Sequence, residues 1–187
     1  MVNDDLKCIF LHPNKCGGKS VANAIWRIDT KVGSADHTLP DTHIQRFGRE
    51  TWDSYWKFGF TRNPWDRLVS IYTGSIQIMQ QNGLGEFGHF VRNTVTGEQI
   101  RDKYDVRLQS EYFHFEDKPI DFIGRFEHYE EDWKVVQEKL GIKAKLPHEN
   151  QSDRPHYTEF YRNKKLIDLV ADFYARDIEL YGYEFGK

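Results

Sequence analysis

An α/β fold on a parallel sheet is what this sequence predicts, and two observations carry that expectation. Two apolar runs, at residues 7–11 and 120–126, and an alternating run at 55–61 read as strands. Each is followed by apolar residues spaced three and four apart, as on a helix packed by one face. In such folds ligands collect at the carboxyl ends of the strands, so the residues just beyond each run come first for function.

The first run, KCIFL, ends in a Gly-bearing loop, HPNKCGG, and leads into KSVANAIWRI, where Val21, Ala24, Ile25 and Ile28 share one helix face. A looser segment with Asp and Pro precedes THIQRFG, a short helix expected to stop at Gly48. After YWKFGFT, Asn63 offers an N-cap and Pro64 a first helical position. Trp65, Leu68, Val69, Tyr72, Ile76 and Met79 then make a long apolar stripe. Residues 81–118 are rich in Gly, Gln and charge and read as short helices and loops. Beyond IDFIGRF, Tyr129, Trp133, Val136 and Leu140 fall on one helix face. Leu166, Ile167, Val170, Phe173, Tyr174, Ile178 and Tyr181 mark a single C-terminal helix. With no internal repeat and no linker-like tract, one domain over residues 1–187 is expected.

A chain of 187 residues with 39% apolar side chains can build a core, which excludes a disordered protein. Its longest unbroken apolar run, Cys8 to Leu11, is far too short to span a bilayer. The opening MVNDDLK has no apolar signal region, so a soluble cytoplasmic protein with no membrane partner is expected. A net charge of −3 argues against a nucleic-acid coat but leaves room for a local basic pocket. Cys8 and Cys16 fit neither a disulfide framework nor a metal knuckle, and no histidine pair has H-x-x-x-H spacing, so no metal is expected.

Three constellations carry chemistry. In His12–Ser20, Gly17 and Gly18 let backbone amides converge on an anion, the helix start adds positive potential, Lys15 and Lys19 add cations, and Ser20 adds a hydroxyl. The Walker pattern would need glycine where Pro13 stands, and a plain Gly-rich turn at a helix start is the competing reading. Arg62 ends the second strand, where a guanidinium can grip a phosphate by two parallel hydrogen bonds. Ser70 reaches the same group if its helix packs back over the strand end; alternatively Arg62 only pairs with a carboxylate. Asp66 and Arg67 read as a local pair. Arg125 closes the third strand, and two strands ending in arginine point to an anion site without the acidic magnesium ligand of a nucleotide triphosphatase.

HPNKCGGKS resembles the 5′-phosphosulfate loop of sulfotransferases, and FGFTRNPWDRLVS resembles their 3′-phosphate segment. DFIGRFEHYEEDW, LPHENQS and ARDIELYGYEF are similar to later blocks of the carbohydrate branch, of which this would be a short soluble member. The resemblance implies a P-loop-like, three-layer α/β fold with a small central parallel sheet. It implies 3′-phosphoadenosine 5′-phosphosulfate (PAPS) as donor, 3′,5′-adenosine bisphosphate (PAP) as product, and a hydroxyl-bearing acceptor, expected to be a glycan. By position, Lys15 would meet the phosphosulfate and the charge growing on the leaving phosphate. Cys16, Gly17, Gly18, Lys19 and Ser20 would form the cradle, and Arg62 and Ser70 would hold the 3′-phosphate. Arg125 would add to the cationic cluster. The stretch from Ser152 through Arg154 to Tyr157 resembles a loop that closes over the nucleotide. Cys16 and Lys19 stand where the family usually has threonine.

Sulfuryl transfer to an alcohol needs a group to take its proton. His37 is placed like the catalytic histidine of uronyl 2-O-sulfotransferases, with His43 as runner-up, while His12 is expected to orient the loop by hydrogen bonding. Trp52, Tyr55 and Trp56 are expected in the core rather than stacked on adenine. Two other classes stay open: a P-loop kinase or triphosphatase, suggested by Gly18-Lys19-Ser20, and a non-catalytic binding module of the same fold.

Overall fold

A computed structural model of the protein describes residues 1–27, 37–76, 80, 83, 85–97, 105–147 and 154–187. It is a mixed α/β structure in two compact units: Met1–Thr61 with Gln109–Gln151, and Arg62–Leu108 with Ser152–Lys187. Ile28 and Met79 of the expected helix faces lie outside the described residues.

The first unit holds a four-stranded sheet in the order β1-β2-β3-β6. These are β1 (Val2–Asn3), β2 (Cys8–Phe10), β3 (Trp56–Thr61) and β6 (Phe122–Arg125). β2 runs parallel to β3 and β3 parallel to β6, while the short β1 adds an antiparallel edge. All three expected strands are therefore present and parallel. A separate two-stranded ribbon pairs β4 (His114–Phe115) with β5 (Lys118–Pro119). Helix α1 (Gly18–Trp26) turns Val21 into a core with Cys8, Phe10, Phe58, Phe60, Trp133 and Val136. The last two belong to α7 (Tyr129–Leu140), on the face its periodicity marked. Helix α2 (Pro40–Phe47) ends where expected, at Gly48 with φ 89°, and α3 (Arg49–Ser54) follows.

Trp52 packs edge-on against Phe115 at 5.4 Å, and Trp56 stacks on Phe58 at 5.1 Å. Tyr55 donates its hydroxyl to Asp4 and accepts from Lys7. The two tryptophans pack as anticipated, whereas Tyr55 pairs at the surface and not in the core.

The second unit begins with α4 (Pro64–Gly74), where Pro64 takes the first turn and Asn63 Oδ1 accepts from the Trp65 amide at 3.1 Å. Trp65, Leu68, Val69 and Tyr72 face a core shared with α5 (Phe87–Thr96), α8 (Lys164–Phe173) and α9 (Ala175–Tyr181). The expected single C-terminal helix is broken at Tyr174 (φ −98°, ψ 21°). Its ring is fully buried and its hydroxyl donates to the Val106 carbonyl at 2.6 Å, so this residue is held by the core at the bend. Among the described residues of 81–118, α5 and the four-residue α6 (Ser110–Phe113) bear out the expected short helices, while the β4–β5 ribbon departs from the expected helices and loops.

Candidate functional site

The first unit gathers its chemistry at the carboxyl edge of the sheet. Leu11 still bonds to Phe58, and from His12 the chain leaves the sheet as a loop. Two residues of that loop are left-handed, Lys15 (φ 67°) and Gly17 (φ 79°), and α1 starts directly after them. Left-handed residues at such spacing turn backbone amides toward a common concavity, and the helix start adds its partial positive charge. Lys15 is half-buried and Lys19 exposed at the first turn of α1. The glycines have specific reasons to be there: a Cβ on Gly17 would meet the Tyr129 phenol, and one on Gly18 would strike the His12 ring.

Gln109 ties this loop to the sheet. Its Oε1 accepts from Cys16 Sγ at 3.2 Å and from Thr61 Oγ1 at 3.1 Å, with the amide fully buried. Cys16 is thus a buried loop anchor rather than an exposed thiol. Arg125 is paired in register with Thr61, and its amide donates to Asp132.

Histidines line the same edge. His12 is 1% exposed and stacked on Phe10 at 5.0 Å. Burial, reinforced by His37, pushes its pKa well below the usual histidine value, so it is neutral. A hydrogen bond to the Pro13 backbone opposes the effect of burial on the His12 ring. The His12 carbonyl meets His37 Nδ1 at 3.1 Å, and the two rings lie edge to face at 4.5 Å. His43 is 2% exposed, its Nε2 is 2.8 Å from Thr38 Oγ1, and burial drives its pKa to about 3. A ring so enclosed and so weakly basic is a packed structural histidine.

In the second unit, Arg62 opens the chain immediately after β3 and bonds Asp66 through Nε at 2.8 Å and a terminal nitrogen at 2.7 Å. Arg154 reaches the other oxygen of the same carboxylate. Burial alone would raise the Asp66 pKa, but the two guanidiniums outweigh it and hold the carboxyl below its ordinary range. Ser70 stands one turn beyond Asp66 on α4, so residues 62, 66 and 70 lie at successive spacings of four. Asp66 and Arg67, expected as a local pair, diverge because adjacent helix residues do not share a face. Arg67 is fully buried and donates to the Arg107 and Asp105 carbonyls, both at 2.8 Å. Tyr157 is buried with its hydroxyl accepting from the Gly186 amide at 2.6 Å. Ser152 lies outside the described residues.

Two neighbours of the loop carry no local signal in the sequence, Gln109, 93 residues from Cys16, and Tyr129, 112 from Gly17; Arg154, named by the resemblance, meets Asp66 across 88 positions. Among the described residues, no group of three or more His, Cys, Asp or Glu could hold a metal ion, and no helix is long and apolar enough to cross a membrane.

A loop with left-handed turns, two lysines and a helix start stands at the carboxyl edge of a parallel sheet, an arrangement that suits an anion. The sequence model of the sulfotransferase family matches residues 1–184, and the chain belongs to that family. It is 30% identical over 101 residues to an uncharacterized protein of Archaeoglobus fulgidus, a stretch covering 54% of this chain and 80% of that one. No solved structure matches it. Family membership supports an enzyme that transfers a sulfuryl group.

Proposed function

We propose that this sulfotransferase moves a sulfuryl group from PAPS to a hydroxyl of a carbohydrate acceptor, within one catalytic domain of P-loop-like design. The observation that carries this reading is the 12–20 loop, whose left-handed residues and helix start suit a phosphosulfate. The residues present fit the donor. Lys15, Cys16, Gly17, Gly18, Lys19 and Ser20 would hold its 5′ end, and Arg62 and Ser70 its 3′-phosphate. Arg125, Arg154, Tyr157 and Ser152 would complete the nucleotide's surroundings. The donor supplies an activated sulfuryl group with a phosphate leaving group.

His37 would take the acceptor's proton. A carbonyl oxygen can only accept, so the contact between His37 Nδ1 and the His12 carbonyl puts the ring proton on Nδ1 and leaves the lone pair on Nε2. With the donor bound, the acceptor oxygen would displace the bridging phosphate oxygen at sulfur. The proton passes to Nε2, and Lys15 offsets the charge arriving on the leaving phosphate.

Calorimetry with PAP and with ATP plus magnesium tests the donor. Tight PAP binding without magnesium, and none of ATP, is expected; the reverse would make the protein a nucleotide kinase or triphosphatase. Labelled PAPS offered to a panel of glycans tests the transfer. PAP binding with no label moved to any hydroxyl would leave a binding module.

A further inference from the structure

We propose that Tyr129 is the positioning residue of the phosphate loop, holding the Gly17–Gly18 peptide so that the Gly18 amide faces the anion; this rests on the donor reading above. Gly17-Gly18 is the most easily flipped peptide of the loop, since neither residue has a Cβ to restrict rotation about it. In a trans peptide the carbonyl and the following N–H point in opposite directions. Whatever pins the Gly17 carbonyl therefore aims the Gly18 amide. The Gly17 oxygen accepts from the amides of Ser20 at 3.0 Å and Val21 at 3.4 Å, as the carbonyl before a helix does. Such first-turn bonds fray readily on their own. The Tyr129 hydroxyl adds a third and shorter bond to the same oxygen, 2.6 Å.

That phenol is itself fixed. Its ring lies edge-on to Phe60 at 4.9 Å and against Phe126 at 5.3 Å. Burial raises its pKa, opposed by a hydrogen bond with the Ser20 side chain, so it stays a neutral donor. One hydroxyl on α7 thus meets both ends of the Gly17–Ser20 turn. The same closeness explains why position 17 needs glycine, because any Cβ there would displace the phenol.

The test is Tyr129→Phe, which keeps the ring and removes only the hydroxyl. Calorimetry is run with PAP and with adenosine 3′-monophosphate, which lacks the 5′ group. The variant is expected to bind PAP about fivefold more weakly and the 3′-monophosphate unchanged, the effect of one hydrogen bond felt only at the 5′ end. No loss, or equal loss on both nucleotides, would overturn the assignment. So would a variant that loses its near-ultraviolet dichroism, since the hydroxyl would then be serving the fold. Hydrogen–deuterium exchange of the ligand-free proteins separates this from the donor reading. If the wild type binds PAP no better than the monophosphate, the donor reading fails and exchange alone decides. Faster exchange confined to residues 14–21 in Y129F upholds the role of Tyr129, and unchanged exchange removes it.

Discussion

Arg62 and Arg154 meet on the single carboxylate of Asp66, which holds both guanidiniums side by side. Arg62→Ala should weaken PAP binding more than tenfold, because a charge-assisted two-point contact is lost. An unchanged dissociation constant would take Arg62 out of the site. Asp66 also sets a pH dependence. Its folded pKa lies below the ordinary 3.8, so its ion pairs stabilise the protein fully above about pH 5 and fade as pH falls through the folded value. The stability advantage of the wild type over Asp66→Asn, from urea midpoints, should therefore shrink between pH 5 and the acid limit. An advantage that grows in acid would contradict the pairing. At the other proposed centre, His37→Ala should abolish turnover while PAP affinity stays within about twofold. Surviving activity would mean that another group takes the proton.

Among the elements, α2 and the strand-to-loop turn after β2 each carry a buried neutral histidine, His43 and His12. Both have folded pKa values below the ordinary 6.5, so the unfolded chain binds protons more readily than the folded one. Their contribution is complete above pH 6.5 and is lost as pH falls toward the folded values, which for His43 is about 3. Stability should decline on acidification from pH 7 to 5, and His43→Gln should flatten part of that slope. An unchanged slope would show that His43 titrates alike in the folded and unfolded chain, against the burial seen here. On α7, Trp133 is 3% exposed and donates its indole N–H to the Ala144 carbonyl at 2.8 Å. Trp133→Ala should cost about 3–5 kcal/mol by thermal or urea unfolding.

What could be read beforehand follows the range of each interaction. The strand–loop–helix at residues 8–26, the Asn63 cap with Pro64, and the stop at Gly48 are local, and the periodicity or one residue's backbone preference marks them. Arg62 was visible as a strand-end cation, yet its carboxylate partner was misassigned to Arg67, a choice that helix geometry alone would have corrected. Gln109 and Tyr129 reach the 12–20 loop only through the tertiary fold, and no spacing rule joins residues so far apart, whereas Arg154 was legible through the resemblance of its block. The bend at Tyr174 was hidden for the same reason, since a core hydroxyl bond to Val106 leaves the apolar repeat of the helix untouched.

For the molecule as a whole, the net charge of −3 would set the overall field against the proposed anionic donor, so Lys15, Lys19, Arg62 and Arg125 would each have to attract it at short range. The two units are also interleaved along the chain, since residues 62–108 are made after β3 and before the last strand of its sheet. On the ribosome, β2 and β3 can pair early, but Thr61 must wait for Arg125 to emerge before the sheet is complete. The second unit waits longer, because Trp65 and Tyr72 share a core with helices made after every strand of the sheet. No single cut of the polypeptide frees either unit intact, so truncation from either end should strip buried surface from a core begun elsewhere in the chain.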